Sequence, residues 1–171
     1  MAEGAKTAKA LDGFVPGQDI GVSAWVLIDQ PMISAFGAAT LDPDRMHIDP
    51  DWAAVNSPFG TTLAFGFQTM SLLTHLLHDA AGTSPASDPA GQGHYLNYGF
   101  DRLRLVAPVL AGSRVRGKFR TLERRIDEDG RHIFKIGAEV EIEGHDRPAL
   151  VGEWLTLWEP PPPQTPATGA A

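Results

Sequence analysis

The stretch from residue 94 to residue 159 constrains the fold most. Four long segments follow one another there: "HYLNYGFDRLRLVAP" (94–108), "SRVRGKFRTLERRI" (113–126), "RHIFKIGAEVEIEG" (131–144) and "RPALVGEWLTLWE" (147–159). Each largely alternates apolar with polar residues, the period of a strand with one face in a core and one in water. "DEDG" (127–130) and "EGHDR" (143–147) supply hairpin residues between the later segments, and connections this short join antiparallel neighbours.

Such a sheet has one apolar face to cover, and the first half of the chain offers the cover. "FGFQTMSLLTHLLHDA" (65–80) carries Phe65, Phe67, Met70, Leu72, Leu73, Leu76 and Leu77, apolar on almost every side, as a buried helix is. Together these features predict an α+β layer, a curved antiparallel sheet wrapped around one long buried helix. A further strand is expected over "IGVSAWVLI" (20–28), which has to join the same sheet. Asp29 is placed to cap a following helix with Pro31 in its first turn, with Met32, Phe36 and Ala39 on one face. "DPDWAAV" (49–55) reads as a short helix capped by Asp49.

The chain has 171 residues, which favours a single domain with a substantial core. Residues 1–14 read as a flexible N-terminus and 15–159 as the domain. Residues 160–171, Pro-rich and with little to bury, read as a disordered tail. "AAGTSPASDPAGQG" (80–93) separates the two halves as a loop. A net charge of −7 argues against nucleic acid as a main partner. Basic residues do gather at Arg102, Arg104, Arg114, Arg116, Lys118, Arg120, Arg124 and Arg125. That gathering suits either a compact anionic ligand or the wet face of paired strands. Without cysteine, disulfides, thiolate catalysis and Cys-based zinc sites are excluded. No apolar run approaches the roughly 20 residues needed to span a bilayer, and the N-terminus lacks a secretion signal's apolar core. A soluble cytoplasmic protein is expected.

Two elements could carry chemistry. "ATLDPDRMHIDPDWA" (39–53) crowds aspartates around His47, and a turn at Pro43 can bring Asp42 and His47 to one point. A carboxylate and an imidazole gripping one water can exchange protons with it near neutral pH. The same residues also read as a loop in which Asp42 receives backbone donors and His47 is packed. The second element is "FGTTLAFG" (59–66), which leads into the buried helix. A glycine at a helix start lets an oxygen approach exposed backbone N–H groups, as stabilising an enolate requires. It equally allows tight packing. His75 and His78 lack an acidic partner at metal spacing, so no metal site is expected. No Walker, GxGxxG or GxSxG pattern occurs.

"FGAATLDPDRMHIDPDWA" followed by "FGTTLAFGFQTMSLL" resembles the MaoC-like hydratase family, whose pattern runs approximately F-A-x-x-T-G-D-x-N-P-x-H-x-D, then F-G-x-x-I-A-H-G and a helix. "LNYGFDRLRLVAPVLAGSRVRG" is similar to the sheet-entry segment of its NodN-like branch. The resemblance covers roughly residues 15–159. It implies a hot-dog fold, an antiparallel sheet of about five strands around a long helix, and a homodimer with its site near the subunit interface. The implied activity is reversible hydration of a trans-2-enoyl-CoA to the (R)-3-hydroxyacyl-CoA, in fatty acid metabolism or a related pathway. No cofactor is implied, CoA being part of the substrate. Asp42 and His47 fall on the family's catalytic pair, and Gly66 on the glycine whose N–H meets the thioester oxygen. Phe65, Ser71 and Thr74 are candidates for the acyl pocket, Phe65 making its mouth more apolar. The departures are Leu41 for a glycine, Asp44-Arg45 for Asn-Pro, and Phe65 for a histidine. The rival readings are a hot-dog acyl-CoA thioesterase, a non-catalytic acyl-CoA binding protein, and a subunit active only beside a different partner chain.

Overall fold

In strand β4, Ser113–Ile126, the alternation of the sequence becomes two faces. Val115, Gly117, Phe119 and Thr121 are buried, while Arg114, Arg116, Lys118 and Arg120 stand on the wet side. The structure is a computed structural model that describes residues 13–83 and 94–159. The expectations for residues 1–12, for most of the 80–93 loop and for the 160–171 tail lie outside the described residues. β5 (His132–Ile142) and β6 (Leu150–Glu159) continue the sheet, and β3 (His94–Leu105) closes it beyond β6. Among the described residues all pairings are antiparallel, in the order β1 (Asp19–Val22), β4, β5, β6, β3, with a sixth strand, β2 (Val26–Ile28), also paired to β4. The four long strands begin and end within three residues of the predicted segments.

The wet face is a ladder of opposite charges. Arg116 lies 2.6 Å from Glu141, Lys118 2.5 Å from Glu141, and Arg114 3.2 Å from Glu143. Burial pushes the Glu141 carboxyl up, but hydrogen bonds from Lys118 and Arg116 outweigh it and hold the group below the usual carboxylate range. Most of the basic gathering seen in the sequence is therefore matched across the strands, each exposed pair contributing roughly 0.2–1 kcal/mol.

The single strand expected over 20–28 is broken into β1 (Asp19–Val22) and β2 (Val26–Ile28), which raises the strand count to six. Side-chain chemistry explains the break. The Ser23 hydroxyl accepts the Gly117 N–H at 2.9 Å, and Asp79 accepts the Ala24 N–H at 2.6 Å. Both bonds divert the chain from the ladder. Gly21 is needed just before the break because the Ala80 carbonyl of the long helix sits where a Cβ would be.

The predicted helix 65–80 is found as α4 (Gly66–Ser71) and α5 (Leu73–Ala81). Leu72 loosens the junction without ending the rod, since its carbonyl still accepts the Leu76 N–H at 2.9 Å. The rod is not buried all round. Leu73, Leu76 and Leu77 enter the core with Gln68 and Thr69, whereas Phe67 is 72 % exposed and Ser71 and His75 also face outward. Leu76 and the Phe119 ring lie over Gly117 of β4, and the ring occupies the place a Cβ would take. Phe134, Ile136, Val140 and Leu150 complete the core.

Helix α1 (Gln30–Thr40) starts at Asp29, whose carboxylate accepts the Met32 N–H at 2.9 Å, with Pro31 in the first turn. Its buried face is one position round from the expected Met32, Phe36 and Ala39. Ile33 and Gly37 are buried, Phe36 is half-buried, and Met32 and Ala39 are exposed. The rotation puts a residue without a side chain where three other segments converge. Two short helices follow, α2 (Arg45–Ile48) and α3 (Pro50–Asn56). Asp49 caps α3 through the Trp52 N–H at 2.9 Å, as expected.

Candidate functional site

Gly37 is the pivot of the site. A Cβ there would lie 3.0 Å from the Asp42 carbonyl oxygen, from Ile48 Cγ2 and from Phe65 Cζ. The turn bearing Asp42, the α2 helix bearing His47 and the start of the long rod are thus brought to one point. The chain reverses at Leu41, which takes the left-handed conformation at φ 58° and closes α1 with N–H bonds to Ala38 and Gly37.

His47 is half-buried, and its orientation is set by backbone. Its Nδ1 is 2.7 Å from the Leu63 carbonyl oxygen, which can only accept, so Nδ1 carries the hydrogen. A neutral imidazole held this way presents Nε2 as a lone-pair acceptor. The ring stacks on Phe65 with centroids 3.9 Å apart and planes at 28°. The Leu63 carbonyl is itself fixed, because Leu63 bridges to Leu110 and the Ala64 N–H bonds the Val109 carbonyl at 2.8 Å. Gln30 ties the parts together, donating to the His47 carbonyl at 2.8 Å and accepting the Thr62 hydroxyl.

Asp42 is exposed, and its carboxylate accepts the Asp44 N–H at 3.2 Å. Among the described residues it makes no direct bond to His47. Asp44 caps α2 through the Met46 N–H at 2.8 Å, and Arg45 pairs with Asp49 at 2.8 Å beside the Trp52 ring. The charges that replace Asn-Pro are thereby spent on helix capping and a local pair. The backbone N–H of Trp52, then Arg45, holds the Asp49 carboxyl below its ordinary value.

Gly66 opens α4, preceded by Phe65, and no side chain caps the first turn. Among the described residues no side chain accepts from its first N–H groups. Leu105, on β3, lies over the glycine where a Cβ would stand. Phe65 does not form a pocket mouth as expected: it is 5 % exposed, wedged between His47 and Phe36, because its ring supports the imidazole from behind. Ser71 is exposed and donates to the Phe67 carbonyl at 2.8 Å, while Thr74 is half-buried. Asn97 and Tyr98 are exposed on β3, and Trp154 is core. A groove of about 600 Å³ on the sheet, lined by Val22, Arg104, Lys118, Arg120 and Glu153 among others, includes none of the candidate residues. Among the described residues no three His, Cys, Asp or Glu side chains gather to hold a metal. The sequence reading missed Gln30 and the Leu63 carbonyl, whose roles rest on contacts across 17 and 16 residues.

The MaoC like domain model matches residues 13–142, from before β1 to the end of β5. The chain belongs to the MaoC-like family. Its relatives include nodulation protein N of Rhizobium leguminosarum bv. viciae, 42 % identical over 141 residues, covering 82 % of this chain and 84 % of that one. The 3-hydroxyacyl-thioester dehydratase Z of Mycobacterium tuberculosis is 37 % identical over 142 residues, covering 83 % and 89 %. Among solved structures, the MaoC-like dehydratase from Rhodospirillum rubrum superposes with a TM-score of 0.67 over 89 % of this chain and 97 % of that one. At 20 % identity it bears on the fold alone, and the fold is the hot dog of this MaoC-like group.

Proposed function

We propose that this chain catalyses the reversible hydration of a trans-2-enoyl thioester, carried on CoA, to the (R)-3-hydroxyacyl thioester. The observation that carries the reading is His47, which donates Nδ1–H to Leu63 and stacks on Phe65, the residue before the uncapped α4, so that Nε2 is the ring nitrogen left for proton transfer. The dehydratase relative supports the reaction class.

Asp42 and His47 hold one water. As its oxygen bonds to C3, the pair takes one proton from it and returns one to C2, ending as it began. Electron density moves from the double bond onto the thioester oxygen, which the Gly66 N–H meets as an oxyanion site. The chemistry requires no cofactor. We assign the working unit as a homodimer, because among the described residues β3 has a neighbour on one side only and exposes Leu96 and Tyr98. An open edge of this length invites pairing with a second copy. Among the described residues no helix is long and apolar enough to cross a membrane, in keeping with a cytoplasmic enzyme.

The test is loss of the enoyl-thioester absorbance of crotonyl-CoA, with longer enoyl-CoAs beside it and chiral analysis of the product. Asp42→Asn and His47→Ala are expected to lose roughly 10²–10⁴-fold in turnover. Equal rates in wild type and both variants would overturn the assignment of the pair, and release of free CoA would point to a thioesterase instead.

A further inference from the structure

The long helix carries a buried group that the reaction does not use. Gln68 is 3 % exposed, and neither its Oε1 nor its Nε2 has a hydrogen-bond partner among the described residues. The other buried polar side chains nearby are satisfied. Thr69 reaches the Phe65 carbonyl, and Thr62 donates to Gln30. Thr121 of β4 shares the condition but leaves only one hydroxyl unmatched. Gln68 leaves a whole carboxamide, with two donors and an acceptor. Interior polar groups without partners are rare in folded proteins, and each calls for an explanation, which for a whole carboxamide is best met by a bound ligand.

The position of Gln68 says which partner. It stands two residues beyond Gly66, about 3 Å further along the helix axis. It also stands in the first turn after Phe65, the N-cap residue whose aromatic ring supports His47. On the proposed hydratase reading, the thioester oxygen lies at the Gly66 N–H and C3 at the Asp42–His47 pair. The acyl carbons beyond C3 then run inward past that turn. A hydrocarbon chain there would leave the carboxamide unmatched, whereas an oxygen on the chain would match it.

We propose that Gln68 is a specificity-determining residue that selects acyl thioesters bearing a hydroxyl or keto oxygen a few bonds beyond C3. The amide donates to either oxygen and accepts from a hydroxyl. The inference rests on the hydratase reading for the placement of the acyl chain, but its test is made on binding rather than turnover.

Saturated, unreactive thioesters separate the two. Dissociation constants of hexanoyl-CoA, 5-oxohexanoyl-CoA and 6-hydroxyhexanoyl-CoA are measured by titration calorimetry on wild type, Gln68→Met and Gln68→Leu. Methionine keeps the volume and removes the hydrogen-bonding atoms, and thermal unfolding establishes that each variant is folded. Wild type is expected to prefer at least one oxygenated ligand by roughly tenfold, the worth of one interior hydrogen bond. Gln68→Met is expected to bring that ratio to about one while hexanoyl-CoA binding holds or tightens. A wild type without preference, or a preference that survives in both variants, overturns the proposal. Loss of crotonyl-CoA hydration in Asp42→Asn with the binding ratio intact separates this inference from the catalytic assignment.

Discussion

His47 donates its Nδ1–H to the carbonyl oxygen of Leu63 across 2.7 Å, and that bond leaves Nε2 as the nitrogen for the proposed chemistry. Anchoring and the proposed proton transfer therefore sit on different atoms of the ring. Asparagine can place an N–H near Nδ1 but has nothing at Nε2. His47→Asn is expected to keep its melting temperature closer to wild type than His47→Ala, which leaves the Leu63 carbonyl short of a partner. Both should lose turnover alike. Thermal unfolding and hydration rates together check this, and an asparagine variant with substantial activity would refute the role given to Nε2.

Leu41 is a branched apolar residue in the left-handed region, 89 % exposed, directly before Asp42. A side chain there costs on the order of 1 kcal/mol that glycine avoids, partly offset by the greater freedom of glycine in the unfolded chain. Leu41→Gly is expected to raise the melting temperature by about 2–4 °C. An unchanged or lower value would show that the leucine side chain returns the cost through contacts absent from the single chain.

Gly37→Ala should be costly despite adding one methyl group. The new carbon meets Asp42, Ile48 and Phe65 at 3.0 Å, tighter than ordinary contact, and one of these contacts is a backbone oxygen. Overpacking of this kind costs about 1–3 kcal/mol. The displaced segments carry the candidate pair, so turnover is expected to fall further than stability does. Denaturant unfolding beside a hydration assay measures both, and a stable, fully active variant would remove Gly37 from its pivotal place.

His132 provides a pH dependence. Burial, and then the Arg124 guanidinium, lowers its pKa below the ordinary imidazole value. With the folded value below the unfolded one, the unfolded chain binds the proton more readily. The contribution is free of penalty above the unfolded pKa of about 6.5 and is lost as pH falls through it toward the folded value. Melting temperature should therefore decline from pH 7.5 to pH 5.5, and His132→Gln should flatten that part of the curve. A parallel decline in the variant would assign the effect to other groups.

The strands were legible because their burial follows local periodicity, and the long helix because of its apolar content, which did not show that Phe67, Ser71 and His75 face outward. Ser113–Ile126 was read to the residue, its alternation being set by the pleat alone. The split at Ser23 was not, because it depends on bonds to Gly117 and Asp79, distant in sequence. The face of α1 was misread by one position because the buried residue is a glycine, which adds nothing to an apolar pattern.

What the sequence by itself determined is the antiparallel sheet, the helix it wraps, the Asp29 and Asp49 caps, and the identity of Asp42, His47 and Gly66 as candidates. Each depends on side-chain period, on a cap and its nearest N–H groups, or on a motif with fixed spacing. Only the tertiary structure decided that Phe65 supports the imidazole rather than lining a mouth, that a backbone carbonyl sets the tautomer of His47, and that Gln68 is buried without a partner among the described residues. Those depend on which atoms of distant segments come within a few ångströms of one another. That is settled by packing around Gly37 and Leu105, and no local pattern encodes it.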